Sequence, residues 1–146
     1  MKLERIISPL GISELMKVQD DRIEKKFFCS KGEWIQWLIS IIEKQEMIGV
    51  WAVREEEGKP IKGYVVGINS IAPPISNSVM LLYSSICYAN SEDANRLAVE
   101  AIVNWGRTLG AKEIVLFTDH PDLSSKYGFE KVDGIPMVLK IKRENE

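Results

Sequence analysis

The stretch from residue 79 to residue 118 constrains the fold most. Residues 79–88 read as a long strand. Ala94, Leu97, Ala98, Ala101, Ile102, Trp105 and Leu109 then recur at the spacing of one helix face, Asn90 or Ser91 can cap that helix, and Gly110 stops it. Residues 114–118 form a short apolar run of the kind that follows a crossover helix and is buried on both faces. A chain with this order must lay a long amphipathic helix across a sheet.

The flanking segments supply the rest. Residues 2–7 suit a short strand, and Ser8-Pro9 suits a helix start because proline at the first helical position loses no needed hydrogen bond. Ile12, Leu15, Met16 and Ile23 are spaced to share one helix face. Ser30 and Glu33 form a capping-box pattern, after which Trp34, Trp37, Leu38, Ile41 and Ile42 repeat as one buried face. Residues 47–53 and 61–68 read as an antiparallel hairpin around a charged turn, in which Glu55, Glu56 and Glu57 are solvated. Residues 69–77 hold two prolines and mark a loop. His120-Pro121-Asp122 begins a short helix that ends near Gly128, and residues 129–132 and 137–141 are the last two strands, joined through Asp133-Gly134. The predicted order is β-α-α-β-β-β-α-β-α-β-β, an α/β or α+β fold in one domain over residues 1–146.

Composition excludes more than it selects. Hydrophobic residues at 45% and charged residues at 27% argue against disorder. The 19 basic and 21 acidic side chains give a net charge of −2. Residues 1–73 carry 11 of each sign and residues 74–146 carry 8 basic and 10 acidic, so neither half is basic and no nucleic-acid partner is expected. Two cysteines, Cys29 and Cys87, are too few for a disulfide framework, and with one histidine they leave no zinc spacing. No signal core and no apolar run of roughly 20 residues is present, so the expectation is a cytoplasmic chain without a membrane partner.

The segment Trp105-Gly106-Arg107-Thr108-Leu109-Gly110-Ala111-Lys112-Glu113-Ile114-Val115-Leu116 resembles the end of the central helix and the fifth strand of the GNAT acetyltransferase superfamily. Lys126-Tyr127-Gly128-Phe129-Glu130-Lys131-Val132 resembles that family's approach to its sixth strand, and Met137-Val138-Leu139-Lys140 its last strand. The resemblance implies a mixed, mostly antiparallel GNAT-like sheet flanked by helices, with the fourth and fifth strands splayed apart. It implies that acetyl-coenzyme A lies in the gap, its pantetheine arm on the strand edge around Ile86, Cys87 and Tyr88. The diphosphate would meet backbone N–H groups at the start of the third helix, at Asn90, Ser91, Asp93, Ala94 and Asn95, where unpaired donors and partial positive charge favour anions.

This chain departs from the family at that turn. Asn90 stands at the family's Gln/Arg position, Asp93 and Asn95 stand at glycine positions, and residues 88–100 contain no glycine. A Cβ there crowds the approach to a diphosphate. Two unit charges about 6 Å apart repel by roughly 3 kcal/mol at an effective dielectric near 20, about a hundredfold in affinity. Glu92 and Asp93 equally suit the first turn of any helix, where acidic side chains stabilise it.

The family's general-acid tyrosine falls here on Ser124, whose hydroxyl is a poor proton source. Tyr127, three residues on, is expected to point elsewhere and to pack. His120 is the one side chain whose ordinary titration lies near neutrality, and it follows the fifth strand on the side where the family's cleft opens. His120, Asp119 and Ser124 are therefore the candidates for proton transfer. The four tryptophans read mostly as core by spacing, with Trp34 and Trp51 the two that a contact surface would use instead. Two readings follow. One is an N-acyltransferase that moves an acetyl or other acyl group from a coenzyme A thioester to an amine of a small molecule or peptide, with a homodimer as the family's frequent state. The other is a GNAT-fold binding or interaction module that has lost coenzyme A binding and catalysis. The acceptor would be shaped by the N-terminal helices and the loop over residues 69–77.

Overall fold

The computed structural model describes residues 1–86 and 92–142, Leu123 by its backbone. Five strands form one sheet in sequence order: β1 (Lys2–Ile6), β2 (Ile48–Arg54), β3 (Gly63–Asn69), β4 (Ser78–Ser84) and β5 (Glu113–Leu116). The first four are antiparallel neighbours, and β5 runs parallel to β4. The parallel pair is joined by the long helix α4 (Glu92–Leu109), so the crossover expected from residues 79–118 is present. Gly110 ends α4 with φ +84, a conformation that favours glycine.

Two apolar layers cover the two faces of the sheet. In β2 alternate side chains divide between them: Val50 and Ala52 join the core under the N-terminal helices, while Trp51 and Val53 join the core under α4. The buried face of α4 is Ala94, Ala98, Ile102, Trp105 and Gly106. Across the β2–β3 ladder Gly49 faces Gly67. A Cβ on Gly67 would stand 2.8 Å from Ile102 Cδ1, so the helix sits as close as it does because that strand position is bare.

The other face is covered by α1 (Pro9–Ser13), a 3-10 turn over Glu14–Lys17, α2 (Arg22–Lys26) and α3 (Lys31–Ile41). Ser8 caps α1 by accepting from the Gly11 N–H at 3.2 Å. Ser30 and Glu33 form the expected capping box at the start of α3. The single helix face expected through Ile12, Leu15, Met16 and Ile23 is instead divided among α1, the 3-10 turn and α2; Ile12, Leu15 and Ile23 are buried and Met16 is exposed. On α3 the buried stripe is Trp34, Ile35 and Leu38, continued by Ile42, and Trp37 stands at the edge with 38% exposure. Trp34 and Trp51 are both core residues, so the contact-surface expectation does not hold.

The residues expected to form the last two strands pair with no strand among the described residues. Over 129–142 the chain has no ladder, and Val132, Ile135, Met137, Val138, Leu139 and Ile141 are 84–93% exposed. A strand exists through its inter-strand hydrogen bonds, and apolar alternation does not supply a partner. β5 is half-buried rather than buried, because its outer edge carries no neighbour among the described residues.

Beneath α3 the Trp34 indole N–H donates to the Tyr64 hydroxyl at 2.9 Å in a buried site. Burial pushes the Tyr64 phenol up to about 12, with the indole donor opposing that shift. The folded state therefore holds this proton more tightly than the unfolded chain, whose tyrosine titrates near 10. That contribution is complete below pH 10 and is lost as pH rises from 10 through 12. Its size is about 3 kcal/mol. Urea unfolding at pH 9 and pH 11.5 should show a steeper loss of stability in the wild type than in Tyr64→Phe; equal slopes would refute the assignment.

Candidate active site

The β4–β5 ladder is short. It runs from Ser78 opposite Glu113 to Leu81 opposite Leu116 and then stops. On its other side β4 continues to Ser84 along β3, but with a shift in register: Val66 faces Tyr83 and Gly67 faces Leu81, leaving Leu82 as the extra residue of a bulge. A bulge bends and twists its strand. β4 is turned here just where β5 gives way to Phe117 and Thr118, so the two strands part and a cleft opens at their C-terminal ends. That is the splay implied by the family resemblance.

The floor and walls of this cleft are Val65, Leu81, Leu116 and the α4 residues Ala98 and Val99. Its polar lining includes Ser84 at the end of β4, Thr118 after β5, and residues from three helices. Arg22 and Lys26 project from α2, Asn95 from α4, and His120, Ser124 and Tyr127 from α5 (Pro121–Ser125) and its flanks. No carboxylate lines the cleft among the described residues, although Asp20 pairs with the Arg22 guanidinium from behind at 3.3 Å.

Arg22 anchors the N-terminal wall. Its guanidinium donates to the Ser84 carbonyl at 2.5 Å, stands 5.5 Å from the Tyr83 ring centroid and pairs with Asp20 at 3.3 Å. The arginine thus ties α2 to the end of β4. Sequence reasoning missed Arg22 and Lys26 as site residues. Their signal was two cations one helical turn apart within the charged run Asp20-Asp21-Arg22-Ile23-Glu24-Lys25-Lys26, and only the packing of α2 over β4 singles them out.

On the opposite wall the chain leaves β5 through Thr118, whose Oγ1 accepts from the His120 N–H at 2.9 Å. Ser124 Oγ donates to the His120 carbonyl at 3.2 Å, which engages its proton in the helix. After α5 the chain folds back tightly: Tyr127 N donates to Ser124 O, Gly128 N to Ser125 O, and Gly128 has φ +92. This turn brings Tyr127 onto the same cleft as Ser124 and His120, half-buried. The expectation that Tyr127 points elsewhere is corrected, because α5 ends before its spacing could carry the ring away.

Of the other predicted positions, Asp119 is exposed and does not line the cleft. Asn95 lines it. Ile86 and Ala94 are 0% exposed and pack in the core under α4, so their side chains are structural. Asp93 is exposed on the first turn of α4. Cys87, Tyr88, Asn90 and Ser91 lie outside the described residues. No group of three His, Cys, Asp or Glu side chains that could hold a metal occurs among the described residues. No helix among them is long and apolar enough to cross a membrane.

No family model matches this sequence, and no curated protein matches it. Solved structures do match. A probable acetyltransferase superposes with a TM-score of 0.73 at 12% identity, covering 98% of this chain and 100% of the other. The aminoglycoside acetyltransferase AAC(6')-Iy, in complex with a bisubstrate analogue containing coenzyme A, gives 0.72 at 10% identity over 97% of this chain and 100% of that one. A putative acetyl transferase from Pyrococcus furiosus gives 0.64 at 14% identity over 96% and 100%.

Proposed function

From the GNAT acetyltransferase fold as premise, we propose that this chain is an N-acyltransferase whose reaction takes place in the β4–β5 cleft. The observation that carries this reading is the cleft itself: apolar walls, a rim bearing Arg22 and Lys26, and no carboxylate in its lining among the described residues. A coenzyme A thioester is an anionic ligand with a long apolar arm. Arg22, Lys26 and Asn95 would hold it, the cations by charge and the amide by hydrogen bonding. Its phosphates would find no opposing carboxylate in the cleft lining among the described residues.

His120 would take a proton from the acceptor ammonium, leaving a neutral amine. The nitrogen lone pair then forms the new C–N bond at the thioester carbonyl. As the carbonyl re-forms, the C–S bond breaks and the electron pair leaves on sulfur. Tyr127 would donate its phenolic proton to that thiolate, and the extra proton left on the acylated nitrogen would return to the tyrosinate, so that the one proton held by His120 is the one released to solvent. A phenol is a stronger acid than an alkyl hydroxyl, and Ser124 spends its proton on the His120 carbonyl. Tyr127 therefore replaces Ser124 as the candidate acid.

One observation favours the second reading, a non-catalytic GNAT-fold module. Glu92 and Asp93 occupy the first turn of α4, and residues 92–100 contain no glycine to admit a diphosphate closely. The structure weakens that argument. Asp93 is exposed, so water screens it, and at 6 Å in water two unit charges repel by about 0.7 kcal/mol, roughly threefold in affinity.

Calorimetric titration with acetyl-coenzyme A separates the readings. Micromolar binding is expected, tightened about threefold in Asp93→Asn. No heat and no thermal stabilisation at millimolar ligand would overturn the acyltransferase reading and leave the module.

A further inference from the structure

Resting on the acyltransferase reading of this cleft, we infer that its acceptor is a primary amine with a single ammonium group on an apolar body, an alkylamine or arylalkylamine. Three features of the lining point to that class.

The first is the α5 wall. Phe117, His120, Ser124, Tyr127 and Phe129 all line the cleft, and all fall within residues 117–129. The imidazole and the hydroxyls can hydrogen-bond an amine, and the rings attract an ammonium through their π faces. The remaining hydroxyls of the lining are engaged with the backbone: Ser84 Oγ accepts from the Ile86 N–H at 3.3 Å and Thr118 Oγ1 from the His120 N–H at 2.9 Å. One wall therefore gathers the groups that suit an amine, beside the residue that would take its proton.

The second is what that wall faces. Across the cleft stand Arg22 and Lys26 on α2, among the apolar side chains of Val65, Leu81 and Ala98. An acceptor with its amine at α5 extends its body over carbon and toward two cations. Carbon in the body suits that path. A second ammonium does not, because it sheds water without gaining a partner and meets charges of its own sign.

The third is where the carboxylates are. None lines the cleft among the described residues. Asp20, its side chain 9% exposed, is committed to Arg22 at 3.3 Å. Seating the coenzyme leaves this unchanged, since its phosphates would be matched by Arg22 and Lys26 themselves.

With acetyl-coenzyme A saturating, kcat/KM for hexylamine and phenethylamine should exceed that for 1,6-diaminohexane by about tenfold or more per amine group. Hexylamine and the diamine differ only in the distal amine, so size is nearly constant. Lys26 is exposed on α2 and can be changed without disturbing the core. Lys26→Glu should narrow the gap by about fivefold, the upper range of one exposed ion pair. Calorimetry on the chain loaded with free coenzyme A reads the same preference without turnover, and hexylamine should bind about tenfold or more tighter than the diamine. With acetyl-coenzyme A bound, four results would each overturn the acceptor class and leave coenzyme binding intact: a diamine acylated as well as hexylamine, acylation of neither monoamine, equal affinities by calorimetry, or a gap unmoved in Lys26→Glu. A chain that binds no acetyl-coenzyme A would overturn the acyltransferase reading and the acceptor class together.

Discussion

Replacing Tyr127 by phenylalanine should lower kcat for acyl transfer by about 10²–10⁴-fold and leave acetyl-coenzyme A affinity within about twofold. The change removes one oxygen from a half-buried ring and nothing from the cleft's cations. It acts where the C–S bond breaks, because sulfur must then leave as an unprotonated thiolate. The measurement is steady-state release of free thiol with a primary amine that the wild type acylates. Ser124→Ala is the control. Its hydroxyl hydrogen-bonds the His120 carbonyl, and its loss should cost no more than a few-fold in rate. If Tyr127→Phe turns over like the wild type, the tyrosine is a packing residue.

Trp34→Ala should destabilise the fold by about 3–5 kcal/mol, the range for deleting a buried indole. Trp34 is 4% exposed and sits at the centre of an aromatic cluster. It stacks on Phe27 at 4.9 Å between ring centroids and meets Tyr83 edge-on at 5.6 Å. Its N–H donates to Tyr64. Truncation leaves a cavity and takes the donor from a buried hydroxyl, two costs with separate causes. At an unfolding entropy of about 0.3 kcal/mol/K for a chain this size, the melting temperature should fall by roughly 10–16 °C. Trp34→Phe keeps most of the ring and should recover more than half of that loss. A fall below about 1 kcal/mol in Trp34→Ala would mean that the cluster is not part of the cooperative core.

The elements were legible wherever one side chain pattern had a single physical solution. Ser30 with Glu33 can satisfy the first turn of a helix, and it does. Gly110 can take the positive φ that closes α4, and it does. The N-terminal helices were legible as helical but not as three pieces, because apolar spacing is continuous across a break that only the packing of Ile12, Leu15 and Ile23 into one core reveals. The site was half-legible. His120 follows from its position after a strand and Ser124 from the family resemblance, and both line the cleft. Arg22 and Lys26 come from a helix nearly 60 residues before β4 ends, and no local signal links them to it. Tyr127 would point away from Ser124 on a continuing helix, but the chain turns there and brings both to the cleft.

Local chemistry in the sequence was enough to determine the crossover of α4 between two strands, the hairpin of β2 and β3, the caps and the two-sided burial of the central strands. Those features depend on side-chain period and on backbone groups satisfied within a few residues. The tertiary structure decided which strands have partners, where β4 and β5 part, and which cations face the cleft. Each of these depends on groups far apart in the chain meeting in space. For that reason residues 137–141 are strand-like by pattern and still unpaired among the described residues.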